Sequence, residues 1–172
     1  EAESAGLGLG ARFTVRLPLQ PARHALVDAG GPPTRIPLEL RNVSVLVVDD
    51  EQRMAEAVAA VLEETGARVT TALSARDGLA AFSRVRPSVL VCDIAMPGED
   101  GYALIRRVRA LEDGAGHTPA LALTAYAGDE DRHRALGAGY DRHLPKPVEP
   151  PELIAAVVEL AARRAAGAQP IA

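Results

Sequence analysis

Two runs in this chain have no polar face. "VSVLVVD", residues 43 to 49, and "SVLVCD", residues 88 to 93, are apolar from Ser44 and Ser88 onward to the closing acid. A strand with one wet face alternates polar and apolar residues. One that does not alternate must be covered on both sides, as central strands of a parallel sheet are. The segments around these runs switch to helical spacing. Met54, Val58, Val61 and Leu62 mark a helix over 51–65, stopped by Gly66. Leu79 and Phe82 mark one over 75–85, and Leu104, Ile105, Val108 and Leu111 one over 100–112. "GDEDRHRALGA" (128–138) is a short polar helix, and Leu153, Ile154, Val157 and Leu160 mark a last helix over 149–165. "ARVTTA", "ALALTA" and the weaker "YDRHL" supply three more strands. Five strands alternating with five helices predict an α/β domain, doubly wound around a five-stranded parallel sheet.

In such sheets functional groups gather outside the carboxyl ends of the strands. The first apolar run stops at Asp49 and Asp50, with Glu51 behind them, and the second stops at Asp93. "ALALTA" carries Thr124 at its end, and Lys146 follows the last strand. Lys146 is the one lysine among 19 basic residues, the others all being Arg. A chain so rich in planar forks that keeps one compact point charge points to a site needing it. Converging carboxylates raise each other's pKa and are unstable alone. A hard divalent cation resolves that, and Mg²⁺ takes one or two carboxylates, waters and a phosphoryl oxygen. With a Lys and a hydroxyl beside it, the set fits phosphoryl transfer, in which a carboxylate can be the nucleophile. An Asp before a helix also serves as an N-cap. That accounts for one acid, not for two acids together with Asp93 and Lys146.

Composition removes other classes. A net charge of −4 and 3% aromatic residues give no basis for nucleic-acid binding. The single cysteine, Cys92, excludes an internal disulfide and reads as a small buried thiol. "LIAAVVELAA" is too short, and too charged at Glu159, to cross a bilayer, so no direct membrane contact is expected. "GLGLG" precedes a strand rather than linking a strand to a helix, which excludes a dinucleotide loop. His24, His117 and His133 lie in polar surroundings and read as solvated surface. Residues 1–19 stand apart: a Gly-rich turn, then "ARFTVRLPL", where Phe13, Val15, Leu17 and Leu19 share one face of a strand. Residues 20–41 are Pro- and Gly-rich and read as a linker, and 167–172 as a disordered tail. There is no starting Met and no signal peptide, so a piece of a longer, cytoplasmic protein is expected, with room for a membrane-anchored parent.

Taken in order, "VLVVDDE", "VLVCDIAMPGEDG", "ALALTAYA" and "HLPKP" resemble the receiver domain of bacterial two-component response regulators over residues 42 to 166. The resemblance implies the flavodoxin-like receiver fold, with Asp93 as phosphoacceptor from a histidine kinase or phosphotransfer protein. It implies Mg²⁺ bound directly by Asp50 and Asp93, by Asp49 mainly through water, and by the backbone carbonyl of Ala95. Thr124 would turn to the phosphoryl group and Lys146 pair with it. Lys146–Pro147 would be cis, and Gly98 and Gly101 would shape the loop beside Asp93. The family's switch aromatic falls at His143, a less common choice than Tyr or Phe. Ala95 and Tyr126, the two positions that tune phosphoryl lifetime in the family, carry no acid or amide, which implies slow self-dephosphorylation. Signalling would run through the face of the fourth helix, fifth strand and fifth helix, where a homodimer is also allowed. The region 128–134 is the candidate contact surface.

"SAGLGLGARFTVRLPL" is similar to the last hairpin of histidine-kinase ATPase domains, which implies a hybrid sensor kinase as parent. No DNA-binding segment follows residue 166, so output through the parent chain, a relay or another protein is expected. Two alternatives stay open at this level. A Mg²⁺-dependent phosphatase with an Asp nucleophile would want a second acid two residues on, where Ala95 stands. A contact-only module would not need the acids, Thr124 and Lys146 together.

Overall fold

The computed structural model describes residues 2–4, 11–13, 40–111, 117–125 and 128–167. The chain separates into two compact units, Glu1–Arg35 and Ile36–Ala172. In the first, strands β1 (Ala2–Ser4) and β2 (Ala11–Phe13) pair antiparallel, with Ala2 opposite Phe13 and Ser4 opposite Ala11. The expected strand positions Val15, Leu17 and Leu19, residues 20–39 of the expected linker, His24, Tyr126 and residues 168–172 of the expected tail lie outside the described residues.

The second unit is a five-stranded parallel sheet with five helices. Its strands are β3 (Ser44–Val48), β4 (Arg68–Ala72), β5 (Val89–Asp93), β6 (Ala120–Thr124) and β7 (Arg142–Pro145). The helices are α1 (Gln52–Glu64), α2 (Ala75–Val85), α3 (Gly101–Leu111), α4 (Asp129–Ala138) and α5 (Pro150–Gly167). Each expected element is present, with ends moved by a residue or two as helix and strand ends generally are. The order across the sheet is β4-β3-β5-β6-β7. The two apolar runs are β3 and β5, adjacent near the middle, and β5 and β6 are buried at every position.

Alternate strand residues feed two cores. Leu46, Val48, Leu90, Cys92, Ala120 and Ala122 pack with Phe82 of α2 and Leu104, Ile105 and Val108 of α3. Val45, Val47, Val89, Val91, Leu121 and Leu123 pack with Val58 and Leu62 of α1 and Leu153, Val157 and Leu160 of α5. Leu111, expected inward, is 46% exposed, because it is the last residue of α3 and lies beyond the packed turns. Helix α4 buries only Ala135 among its residues, so the expectation of a solvated face there holds. It also touches α3 through Arg134, whose guanidinium lies 4.5 Å from the Tyr102 ring centre. Ser74 caps α2 by accepting from the Asp77 N–H, while α5 starts at Pro150, where a missing N–H costs nothing.

Because β3 runs out to β4 on one side and β5 lies on the other, the crossovers leave in opposite directions at the carboxyl ends of β3 and β5. That is the crevice where a doubly wound sheet can hold a ligand.

Candidate functional site

The crevice is built from residues that end strands. Asp49 follows β3 directly, and its N–H still donates to the Ala72 carbonyl at 3.1 Å, so the sheet ladder fixes its backbone. Asp93 is the last residue of β5, and the next N–H, of Ile94, donates to Leu123 at 3.0 Å. Thr124 ends β6, and its carbonyl accepts the Lys146 N–H at 2.6 Å. The Lys146–Pro147 bond is cis, as the resemblance implied. Four segments distant in sequence are thus tied to one sheet edge by backbone hydrogen bonds before any side chain acts.

The side chains close the site. Lys146 Nζ donates to Asp49 Oδ2 at 2.8 Å and lies 2.9 Å from Asp93 Oδ2. Asp49 is 2% exposed, Asp93 6% and Thr124 3%. The remaining Asp49 oxygen accepts the Glu51 N–H at 2.9 Å, and the remaining Asp93 oxygen accepts the Ala95 N–H at 3.2 Å. Burial alone would lower the Lys146 pKa. The hydrogen bonds and charges of Asp49 and Asp93 outweigh it and hold the ammonium above its ordinary value. Asp50 is exposed at the rim. One carboxylate oxygen each from Asp49, Asp50 and Asp93 lie within 4.8 Å of one another, a set of hard donors that suits Mg²⁺.

The loop after Asp93 is held close. The Met96 and Gly101 N–H groups both donate to the Ile94 carbonyl at 3.0 Å, and Asp100 Oδ1 accepts the Ala103 N–H at the start of α3. The two loop glycines serve different ends. Gly98 has φ +79, the left-handed conformation. At Gly101 the need is space: a Cβ there would stand 2.4 Å from the Asp93 carbonyl oxygen. Tyr140 donates its hydroxyl to the Gly101 carbonyl at 2.8 Å and braces the same loop from the far side of β6. Sequence reading missed this residue, and only its rarity as an aromatic in this chain marked it.

Thr124 Oγ1 lies 2.7 Å from His143 Nε2, so the expected switch pair is in hydrogen-bond contact. Cys92 is buried as expected, and burial pushes its thiol up to about 12. Its position beside Asp93 therefore carries no thiolate chemistry near neutrality. His117, expected as plain surface, is indeed half exposed, yet its Nε2 lies 3.1 Å from Asp141 Oδ1. Asp141 also accepts from Arg109 at 3.0 Å and from the Ala120 N–H at 2.8 Å. This network lies at the opposite end of β6 from Thr124, where it fastens the fold.

The sequence profile of the response regulator receiver domain matches residues 45–158. A 14.6 kDa protein from the sodA1 3′ region of Leptolyngbya boryana is 47% identical over 67% of this chain and 87% of its own length. TcrX, a probable transcriptional regulatory protein of Mycobacterium tuberculosis, is 38% identical over 65% of this chain, which spans about half of that protein (47%). Among solved structures, the receiver domain of a Francisella response regulator superposes with a TM-score of 0.65 at 32% identity, covering 71% of this chain and 98% of that one.

Proposed function

The chain belongs to the response regulator receiver family, the receiving element of two-component signalling, and on that footing we propose that Asp93 takes the phosphoryl group. Receivers of this family accept phosphoryl groups originating on histidine kinases and bind Mg²⁺ at an acidic cluster. The observation that carries the assignment is the convergence of Asp49, Asp93 and Lys146 at the crevice, with Thr124 ending the adjacent strand. Of the buried acids, Asp93 stands where β5 opens into a loop whose next N–H groups turn inward.

In this reading an Asp93 carboxylate oxygen attacks the phosphorus of a phosphohistidine. The new P–O bond forms as the P–N bond breaks, and the imidazole nitrogen leaves with the electron pair and is protonated. Lys146 balances the charge that Asp93 loses to the phosphoryl group, and the Thr124 hydroxyl donates to a phosphoryl oxygen. Asp50, Asp93 and the Ala95 carbonyl, with Asp49 in support, would hold the Mg²⁺, which supplies positive charge at the phosphoryl oxygens. Ala95 leaves no general acid two residues after the nucleophile, which supports a stored phosphoryl group over rapid turnover.

The signal would leave through α4, β7 and α5, since α4 is held by so few buried contacts. Among the described residues no helix is long and apolar enough to cross a membrane. The antiparallel β1–β2 pair around "AGLGLG" supports the hairpin reading of residues 1–19, and with it a hybrid kinase parent joined through 20–41 to the receiver. Treating the chain with an acyl phosphate and Mg²⁺ and weighing it intact tests the main reading. One added phosphoryl group, absent in Asp93→Asn, is expected. Continuous donor turnover would indicate a phosphatase instead, and no adduct a contact-only module. If removal of residues 1–19 destabilises the receiver, the kinase-remnant assignment fails.

A further inference from the structure

Gly101 opens α3 at a point where the space for a side chain is already taken. A Cβ there would stand 2.4 Å from the Asp93 carbonyl oxygen and 3.1 Å from the Tyr140 hydroxyl, so these two groups flank the same Cα. A glycine required for room also brings the loosest kind of backbone. Here that looseness would fall beside Asp93, and Tyr140 removes it. The phenol donates to the Gly101 carbonyl at 2.8 Å and so fixes the peptide plane that follows Gly101. The Gly101 N–H in turn donates to the Ile94 carbonyl at 3.0 Å. That carbonyl shares one rigid plane with the Ala95 N–H, which holds Asp93 Oδ1 at 3.2 Å. The Tyr140 hydroxyl and the Asp93 carboxylate are thus joined by hydrogen bonds in series through Gly101 and Ile94.

Tyr140 is itself well anchored. It is 3% exposed, with its ring in the core formed with Ile105 and Ala135. Its N–H donates to the Ala135 carbonyl in the last turn of α4 at 3.2 Å, and the next N–H, of Asp141, to Ala120 of β6 at 2.8 Å. A Phe would fill the same space without a polar atom to bury, so packing does not account for the hydroxyl. Burial also holds the phenol well above its ordinary range, which keeps it a donor near neutrality.

We propose that Tyr140 is a positioning residue for phosphoryl transfer, whose hydroxyl, acting through Gly101 and Ile94, sets how Asp93 and the Ala95 carbonyl face the metal and the incoming phosphoryl group. The inference rests on Asp93 as the acceptor. Both proposed ligands lie in the stretch that the Gly101 bonds hold, and Mg²⁺ demands near-ideal octahedral geometry. Without the hydroxyl, the ring stays packed and Asp93 stays charged, but the Gly101 carbonyl is released and the ligand spacing loosens. A hydroxyl that only stabilised the core would leave the metal requirement unchanged.

The test compares Tyr140→Phe with Thr65→Val. Thr65 is likewise buried, at the end of α1, and its hydroxyl likewise donates to a backbone carbonyl, that of Leu62. It reports what losing such a bond does to the fold alone. In metal-free protein the Ala95 amide nitrogen resonance should move in Tyr140→Phe and stay in place in Thr65→Val. The Mg²⁺ concentration giving half the maximal rate of phosphorylation by an acyl phosphate, followed by intact mass, should rise several-fold in Tyr140→Phe alone. An unmoved Ala95 resonance, an unmoved Mg²⁺ requirement, or a requirement raised equally in both variants overturns the inference and leaves Asp93 as the acceptor. A wild type that takes up no phosphoryl group, or an Asp93→Asn variant that still takes one up, removes both.

Discussion

Lys146 Nζ lies 2.9 Å from Asp93 Oδ2, although the two residues leave strands that β6 keeps apart in the sheet. The side chain spans a strand's width to stand between two buried carboxylates, and so does the work of a cation at the crevice. Removing it leaves Asp49 and Asp93 buried without their counter-charge. Lys146→Met should therefore lose about 3 kcal/mol of stability in the absence of divalent ions. Added Mg²⁺ should restore much of that loss, as followed by urea denaturation, because it neutralises the same oxygens. A Mg²⁺-insensitive variant would contradict this account.

The same contact fixes a pH dependence. The folded Lys146 pKa lies above its ordinary 10.5, so the ion pairs contribute fully below that value. Their contribution fades as pH rises through the folded value. The stability difference between wild type and Lys146→Met should hold constant from about pH 7 to about pH 10, where both carboxylates are charged, and shrink above it.

Asp49 and Asp50 should separate cleanly. Asp49 is buried and spends both oxygens on Lys146 and the Glu51 N–H, whereas Asp50 is exposed. Asp50→Asn should leave metal-free stability within about 0.5 kcal/mol, or raise it, while weakening Mg²⁺ binding. Asp49→Asn should cost about 2 kcal/mol with or without the metal, since Lys146 loses a partner. Thermal melts across a Mg²⁺ titration distinguish the two, and equal behaviour would count against the assignment.

The loop glycines give a further contrast. Gly101→Ala places a Cβ against the Asp93 carbonyl and 2.9 Å from Ile94 Cα. It should cost about 3 kcal/mol and slow phosphorylation, because the strain falls on Asp93 itself. Gly98→Ala meets no atom within 4 Å and pays only for φ +79, about 1 kcal/mol.

Arg109 should affect stability alone. It donates to the Gly139 and Thr118 carbonyls and to Asp141, at the end of β6 about 13 Å from Thr124. Arg109→Ala should lose about 2 kcal/mol yet, below its melting point, take up a phosphoryl group at the wild-type rate.

Much of this protein is legible along the chain. The unbroken apolar runs of β3 and β5 demanded cover on both faces, and their closing acids, with Thr124 and Lys146, marked the crevice. Those signals are local: burial patterns repeat within one element, and a strand end announces itself by the change from Val to Asp. Leu111 shows where such a signal fails, because the helical period continues to the end of α3 but the packing partners do not.

What the sequence determined by itself was therefore the fold class and the identity of the polar residues at the strand ends. Tertiary structure decided how they share the work. Nothing local distinguishes Asp49 from Asp50, or tells that Gly101 is required for room rather than for φ. Nor does anything local show that Tyr140 reaches back to the loop beside Asp93, or that His143 touches Thr124. Each depends on where a side chain points once strands far apart in sequence lie side by side, about 4.8 Å apart. A single residue's step along a strand turns its side chain to the opposite face, and at the end of β3 that step leaves Asp49 buried with Lys146 and Asp50 exposed.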